Sequence, residues 1–451
     1  MVKNLKSTLR PLLNDYGMIV VLLLLCLLFS WLTWGKQNPE GADAGRILAQ
    51  KILKDFDDSP TVLIVARNTA KDLAFTAELT SRLKPAGATI LATVQGDPAD
   101  ARKALEQLNT AATPLTVIAT TNATAIWTVF NDLPAKYPAL GNPAVLTAPT
   151  SSGAAFLKRD NLLNIANQIA VIAILAIGMT LVILTAGIDL SVGSLVALSA
   201  VAVSWAVQNL AGGQSASIPA VALCGLAAIA LCATAGAFSG LMITKFDVPP
   251  FIATLAMMLI ASGFAFLIAQ GQSIDQVPPS FTWLGREASL AGIPNAVLLM
   301  LALYLLAHFV MTRTLLGRYI YAVGQNPEAA RLSGVPVKRV LRRTYIICGA
   351  LAGLGGVVLA SQLDSGSPTY GLMYELYVIA AVVVGGTSLA GGRGKIFGTL
   401  IGAFIIAVIQ NGMNLTGVES YTQKIVLGAV ILAAIILDRI RIEKWSGSTN
   451  P

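Results

Sequence analysis

A carboxylate set between two long apolar runs is the first residue in this chain with a chemical problem to solve. Asp189 lies in Gly178-Met-Thr-Leu-Val-Ile-Leu-Thr-Ala-Gly-Ile-Asp-Leu-Ser-Val-Gly-Ser194. At membrane depth a charge costs several kcal/mol unless it is paired or wet, so Asp189 is a functional candidate by default. The same residues equally fit a helix break at the inner interface, with Asp189 and Ser191 capping the next helix and Gly187 acting as a hinge. A second segment, Val384-Gly-Gly-Thr-Ser-Leu-Ala-Gly-Gly-Arg-Gly-Lys-Ile-Phe-Gly398, has the glycine density of a phosphate-cradling loop. The pattern fails in detail: Gly394-Lys395 is followed by Ile396 instead of Ser or Thr, and Leu389 stands where the leading glycine belongs. Gly385, Gly386, Gly391 and Gly392 instead suit close helix packing and a break covered by protein or lining a wet cavity. Gly-x-x-Leu recurs at Gly187 to Leu190 and Gly386 to Leu389, a weak mark of an internal repeat.

A third segment runs Gly317-Arg-Tyr-Ile-Tyr-Ala-Val-Gly-Gln-Asn-Pro-Glu-Ala-Ala-Arg-Leu-Ser-Gly-Val-Pro336. Asn326-Pro327-Glu328 is a helix start: a capping side chain, a proline in the first turn, and an acid facing the positive end of the dipole. The short helix Pro327–Leu332 should end at Gly334 and Pro336. Such a helix can dock a separate motor, or lie on lipid headgroups through Arg331 and Lys338. The remaining reactive side chains are bland. Cys26, Cys224, Cys232 and Cys348 stand singly in apolar runs and form no C-x-x-C or Cys/His cluster, so they read as small apolar side chains. His308 is the only histidine, which makes metal or acid–base chemistry improbable. No catalytic residue, metal or cofactor is expected.

The elements that must position these residues are membrane spans. Of 451 residues, 55% are hydrophobic and 12% charged, against roughly a quarter charged in a soluble domain. The net charge of +8 gathers at the ends of apolar segments, which reads as membrane orientation and not as nucleic-acid binding. Lys3, Lys6 and Arg10 precede an apolar run from Tyr16 to Trp34, which lacks a cleavage site and reads as an uncleaved span with its N-terminus inside. Further spans are expected at 162–186, 191–210, 217–243, 250–270, 294–311, 343–362, 375–388, 397–416 and 421–437, about ten in all. Alternation then puts both termini, the basic connection Thr312–Arg343 and the tail Asp438–Lys444 in the cytoplasm, with Lys245, Arg393 and Lys395 on the same side.

Between the first two spans the character is that of a soluble domain. Strands are expected at Thr61–Ala66, Thr89–Val94, Leu115–Thr120 and Ala144–Leu146, with helices at Asp72–Lys84, Pro98–Leu108 and Thr124–Tyr137. That alternation implies a small parallel α/β domain with helices on both faces, held outside. The expected organisation is therefore 1–35 as N-terminal segment and first span, 36–158 as periplasmic α/β insert, 159–438 as membrane core and 439–451 as cytoplasmic tail.

Residues from about Phe156 to Asp438 resemble the permease subunit of ribose-type ATP-binding-cassette sugar importers, whose relatives carry xylose, galactose, arabinose and autoinducer-2. The resemblance is carried by Asn161-Leu-Leu-Asn164, Gly178–Ser194, Pro250-Phe-Ile-Ala-Thr-Leu255, Gly317–Gly334, Gly385–Gly402 and Asn411-Gly-Met-Asn-Leu415. It implies a second permease copy or paralogue, a separate cytoplasmic ATPase and a periplasmic sugar-binding protein, working at the bacterial inner membrane. Glu328-Ala-Ala-x-x-x-Gly334 looks like the EAA loop, and Asn326, Glu328, Ala329, Ala330, Arg331 and Gly334 would then contact the ATPase. For the sugar path, chemistry asks for amides on one face. Asn164, Asn167 and Gln168 start one span and Gln410, Asn411 and Asn414 end another. Polar glue between helices is an equal reading of each. Asp364 and Glu375 are placed in an external connection, within reach of basic residues on a binding protein.

The insert departs from the family, in which the first span leads almost directly to the segment seen here at Phe156–Leu162. Asp97–Lys103 and Val117–Thr124 look like pieces of one lobe of a periplasmic sugar-binding protein. It reads as a dock for the soluble binding protein, a sensor, or a structural cap. Two other classes remain for the whole chain: an ion-coupled secondary transporter, which would want more buried acids, and a membrane-anchored sugar sensor, for which so many spans are excessive.

Overall fold

The computed structural model describes residues 2–56, 59–275 and 277–446. The side chains of Lys3, Lys6, Arg10 and the basic tail, and residues 447–451, lie outside the described residues. The chain divides into two compact units, 34–155 and the remainder.

Helix α1 covers Val2–Leu32 and belongs to the larger unit. The smaller unit opens on strand β1 (Trp34–Gln37) and helix α2 (Gly41–Asp55). It continues β2 (Thr61–Ala66), α3 (Ala70–Leu83), β3 (Thr89–Gln95), α4 (Pro98–Thr110), β4 (Val117–Thr120), α5 (Leu133–Lys136), β5 (Ala144–Leu146) and β6 (Ser151–Ala154). Strands β3-β2-β4-β5 form one parallel sheet in that order. The period-two alternation of β2 explains how it is covered. Val62, Ile64 and Ala66 join Leu48, Ile52, Phe75 and Leu79 in one core, whereas Leu63 and Val65 join Ala101 and Leu105 in another. Asp97 caps α4 by accepting from the Ala99 and Asp100 amides at 2.8 and 3.1 Å. β1 and β6 pair antiparallel, Trp34 opposite Ala154, so the unit begins and ends at one place.

One expectation in this unit fails. No helix runs from Thr124 to Tyr137: a 3-10 turn at Thr128–Phe130 and the four-residue α5 stand there. Asp132 adopts a left-handed conformation (φ 56°) and Pro134 follows, which together break the helical path. Helix α2, unread in the sequence, packs Leu48 and Ile52 into the first core.

The larger unit continues with α6 (Arg159–Leu184), α7 (Val192–Asn209), α8 (Ile218–Lys245), α9 (Pro250–Ala269) and α10 (Pro279–Arg286). Then come α11 (Asn295–Arg313), α12 (Leu315–Gln325), α13 (Pro327–Leu332), α14 (Val337–Leu363), α15 (Tyr374–Val384), α16 (Ile396–Leu415) and α17 (Ser420–Ser446). Among the described residues seven helices are long and apolar enough to cross a membrane, and 17–32, 374–384 and 420–433 are shorter apolar helices. The chain is a polytopic α-helical membrane protein. Helix α6 is buried nearly throughout from Ile169 to Leu184, and α14 packs against it, α7 and α8.

Small residues let these helices approach. A Cβ at Gly349 of α14 would strike the Cys232 carbonyl of α8, and one at Gly236 would strike the Tyr345 carbonyl. The expected span at 375–388 is helical only over Tyr374–Val384: α15 has 11 residues, about 16 Å at 1.5 Å per residue, roughly half a hydrocarbon layer. Left-handed backbone at Gly371, Met373 and Gly386 (φ 71°, 68° and 85°) stops the helix from extending at either end.

Candidate functional site

Helix α13 is capped as its sequence demands. The Asn326 side chain accepts from the Glu328 and Ala329 amides at 3.0 and 2.9 Å, and Gly334 leaves the helix at φ 83°. Ala330 is buried against the larger core, whereas Ala329 and Leu332 face outward, Leu332 being 75% exposed. Glu328 pairs with Arg331 at 2.6 Å, both side chains exposed. The Arg331 guanidinium beside it holds the Glu328 carboxyl below the usual carboxylate range, so the pair stays charged at neutral pH.

What α13 is attached to is less obvious from sequence. The preceding helix α12 drives Gly324 into the end of α6, where a Cβ would overlap the Leu184 carbonyl and the Gly392 nitrogen. That Leu184 carbonyl, left free at the C-terminus of α6, accepts from the Gly392 amide at 2.9 Å. Gly391 (φ 86°) packs on the Gly324 carbonyl and Ala186, and Gly392 (φ 69°) packs on Gln325. Tyr321 donates its hydroxyl proton to the Gly394 carbonyl at 2.8 Å. Three segments singled out by composition thus meet at one junction: the helix break after Leu184, the loop 385–395 and the stem of α13. Gly385 abuts Gly398, bringing α15 onto α16, and Thr180 of α6 shares a 2.8 Å hydrogen bond with Thr399 of α16.

Asp189 is enclosed by the packed helices around it. It is wholly buried, and its Oδ1 accepts from the Ser191 amide and hydroxyl at 2.9 and 2.6 Å. The break brings Gly187 against the Tyr345 hydroxyl, and Asp189 neighbours Cys348 near the middle of α14. Asp189 Oδ2 and the Tyr345 hydroxyl are buried with no hydrogen-bond partner among the described residues. Helix α7 starts from Ser191, whose side chain makes no capping bond, so Asp189 braces the break before α7 and does not cap the helix. Tyr345 and Cys348 were invisible as its neighbours because nothing in a helical run announces which residue faces a break.

The six amides divide. Asn411 and Asn161 exchange reciprocal side-chain bonds at 2.9 and 3.0 Å, tying α16 to α6. Asn167 donates to the Gly285 carbonyl at 3.3 Å, and its own backbone carbonyl accepts from Gln362 at 2.9 Å. These two act as polar glue. Asn164 and Gln168 are exposed and bond each other at 3.3 Å, Asn414 is exposed and accepts from Gln423 at 2.7 Å, and Gln410 is half-buried. Asp364 pairs with Arg286 at 3.3 Å. Glu375 is not in a connection: it lies in the first turn of α15, against Gly193 of α7.

The model of a family described as "Branched-chain amino acid transport system / permease component" matches residues 161–435, more than half of the chain. The chain belongs to this permease family. The matched residues hold every part of the junction, the Asp189 break and the capped helix α13; the unit 34–155 precedes them. The permease is 47% identical to the ribose import permease protein RbsC of Escherichia coli K12 over 288 residues, 63% of this chain and 87% of that protein. It is 42% identical to RbsC of Bacillus subtilis over 63% of this chain and 86% of that one. With the D-allose transport system permease protein AlsC of E. coli it shares 36% identity over 63% of this chain and 85% of AlsC. No solved structure matches the permease.

Proposed function

We propose that the protein is the permease subunit of an ATP-driven importer that carries a monosaccharide across the bacterial inner membrane. The observation that carries this is the 47% identity to a ribose import permease along 87% of that protein's length. The family description names amino acids, but the relatives that align most fully are sugar permeases. A cytoplasmic ATPase then receives α13 through Asn326, Glu328, Ala329, Ala330, Arg331 and Gly334, and a periplasmic sugar-binding protein delivers the cargo. A second permease copy or paralogue completes the path. Ten crossings, counting the three shorter apolar helices, put both termini and the α13 loop in the cytoplasm. On that topology 34–155 is an inserted periplasmic domain serving as a dock for the binding protein. Gly187, Asp189, Ser191, Gly385, Gly386, Gly391 and Gly392 form the moving part, and Asn164, Gln168, Gln410 and Asn414 keep hydrogen-bonding capacity toward an outer path.

Reconstitution in proteoliposomes with the ATPase and the binding protein tests this directly. Uptake of D-ribose or D-allose should require ATP and all three components. Uptake that persists without the ATPase would overturn the reading in favour of an ion-coupled carrier. Charge reversal at the dock is a separate test. Glu328→Lys puts a cation at the positive end of α13 and removes the partner of Arg331, and co-purification of the ATPase should fall more than tenfold. An unaltered yield of ATPase with this variant would move the docking surface elsewhere.

A further inference from the structure

Two non-helical segments frame helix α7, one leading into its first turn and one lying along it. The first is 185–191, which carries Asp189 up to Cys348, near the middle of α14, before α7 begins. The second is 364–373, which leaves the far end of α14 and runs back along α7. A Cβ at Gly366 would collide with the Ala200 carbonyl and Ser204, whereas one at Gly371, five residues later, would collide with the Gly193 carbonyl and Val196. Helices α7 and α15 therefore both start inside the bundle, with the backbones of Gly193 and Gly371 in contact. A Cβ at Gly193 would also meet the Glu375 carboxylate.

The surface on the α15 side of this contact cannot face hydrocarbon. Irregular backbone at such depth is tolerated only against protein or water, and a carboxylate there costs several kcal/mol against lipid. Yet Leu372 and Met373 are 77% and 44% exposed, Thr369 is exposed, and Tyr370, Tyr374, Glu375 and Tyr377 are half-buried. The hydroxyls are held in place: Tyr370 shares a 2.5 Å hydrogen bond with Ser365, and Thr369 a 2.9 Å one with Ser367. Phenol rings offer flat apolar faces with a polar tip, and with a threonine hydroxyl and one carboxylate they suit a small polyhydroxylated ligand.

Resting on the importer reading, we propose that the Gly193–Gly371 contact is the constriction of the transport path and that Thr369, Tyr370, Tyr374 and Glu375 are the monosaccharide-contacting residues on its outer side. Discontinuous helices meeting at the midplane are where transporters commonly hold cargo, and close backbone contact between two glycines lets a gate close without side chains.

The test separates this inference from the function it rests on. Leu372→Cys in the assembled transporter should react with a membrane-impermeant maleimide at least tenfold faster than Leu223→Cys, which is 67% exposed on the apolar helix α8. Equal, slow labelling of both would overturn the wet path. In proteoliposomes, Tyr374→Ala and Glu375→Gln should each cut D-ribose uptake at least tenfold, with the amount of co-purified ATPase as the control for assembly. Variants that transport at the wild-type rate would refute the sugar-contact assignment. If the wild-type complex moves neither D-ribose nor D-allose, the importer reading fails, and the labelling contrast still decides whether the constriction opens to water.

Discussion

Replacing Gly324 by valine is expected to abolish ATP-driven uptake while the ATPase still binds. Gly324 lies inside α12 with no unusual dihedral, so intrinsic propensity favours substitution: alanine in a helix interior gains about 1 kcal/mol over glycine. Contact geometry argues the opposite. The space a Cβ would enter is filled by the Leu184 carbonyl and the Gly392 amide, which are bonded to each other and are backbone atoms that cannot rotate away. Overpacking of this kind costs about 1–3 kcal/mol and pushes α12 off the end of α6. The helix that docks the motor would then move without dragging the break at 185–191. Gly324→Ala should lower uptake at least tenfold and Gly324→Val should reduce it to background, with co-purified ATPase and helical content unchanged. A Gly324→Ala protein that melts higher and transports normally would show that force does not pass through this point.

The second large effect is on stability. Asp189→Ala removes the acceptor for both the amide and the hydroxyl of Ser191 in a fully buried place. Stranding each of these two buried donors costs about 1–3 kcal/mol. A loss of about 3 kcal/mol corresponds to a fall of roughly 4 °C in melting temperature for a unit this large. Asp189→Asn keeps the Oδ1 acceptor and should recover most of the loss. Thermal unfolding of the two variants in detergent distinguishes the roles: equal damage by Asn and Ala would mean that the charge, not the hydrogen bonds to Ser191, is what the break requires.

Sequence carried much of this, unevenly. Helices α6, α8, α9 and α16 were legible because long apolar runs ended at polar or Gly/Pro boundaries, and α13 because Asn326, Pro327 and Gly334 punctuate so short a helix. The family was legible in ordered motifs. Geometry between distant residues was not. Nothing local distinguishes Tyr345 from any other aromatic in a span, and Gly324 looked like one more glycine in a quoted motif. Glu375 reads as part of a connection because a short helix after an irregular segment has the same hydropathy as a longer span preceded by a loop. Asn167 and Asn411 shared the chemistry of a path but are satisfied by neighbouring helices.

The paired strands β1 and β6 have a consequence beyond their own few hydrogen bonds. Trp34 sits opposite Ala154, and on the membrane side Phe156 donates its amide proton to the Thr33 hydroxyl at 3.1 Å, with its ring 6.1 Å from Phe29. On the proposed topology the strand pair would work as a graft junction: a stretch of gene could be gained, lost or exchanged there while the exit of α1 and the start of the following segment keep their registration. Such a seam offers a place to splice in a fluorescent reporter or a foreign recognition module, and it gives an ancestral recombination event a site where the host fold would have needed no repair.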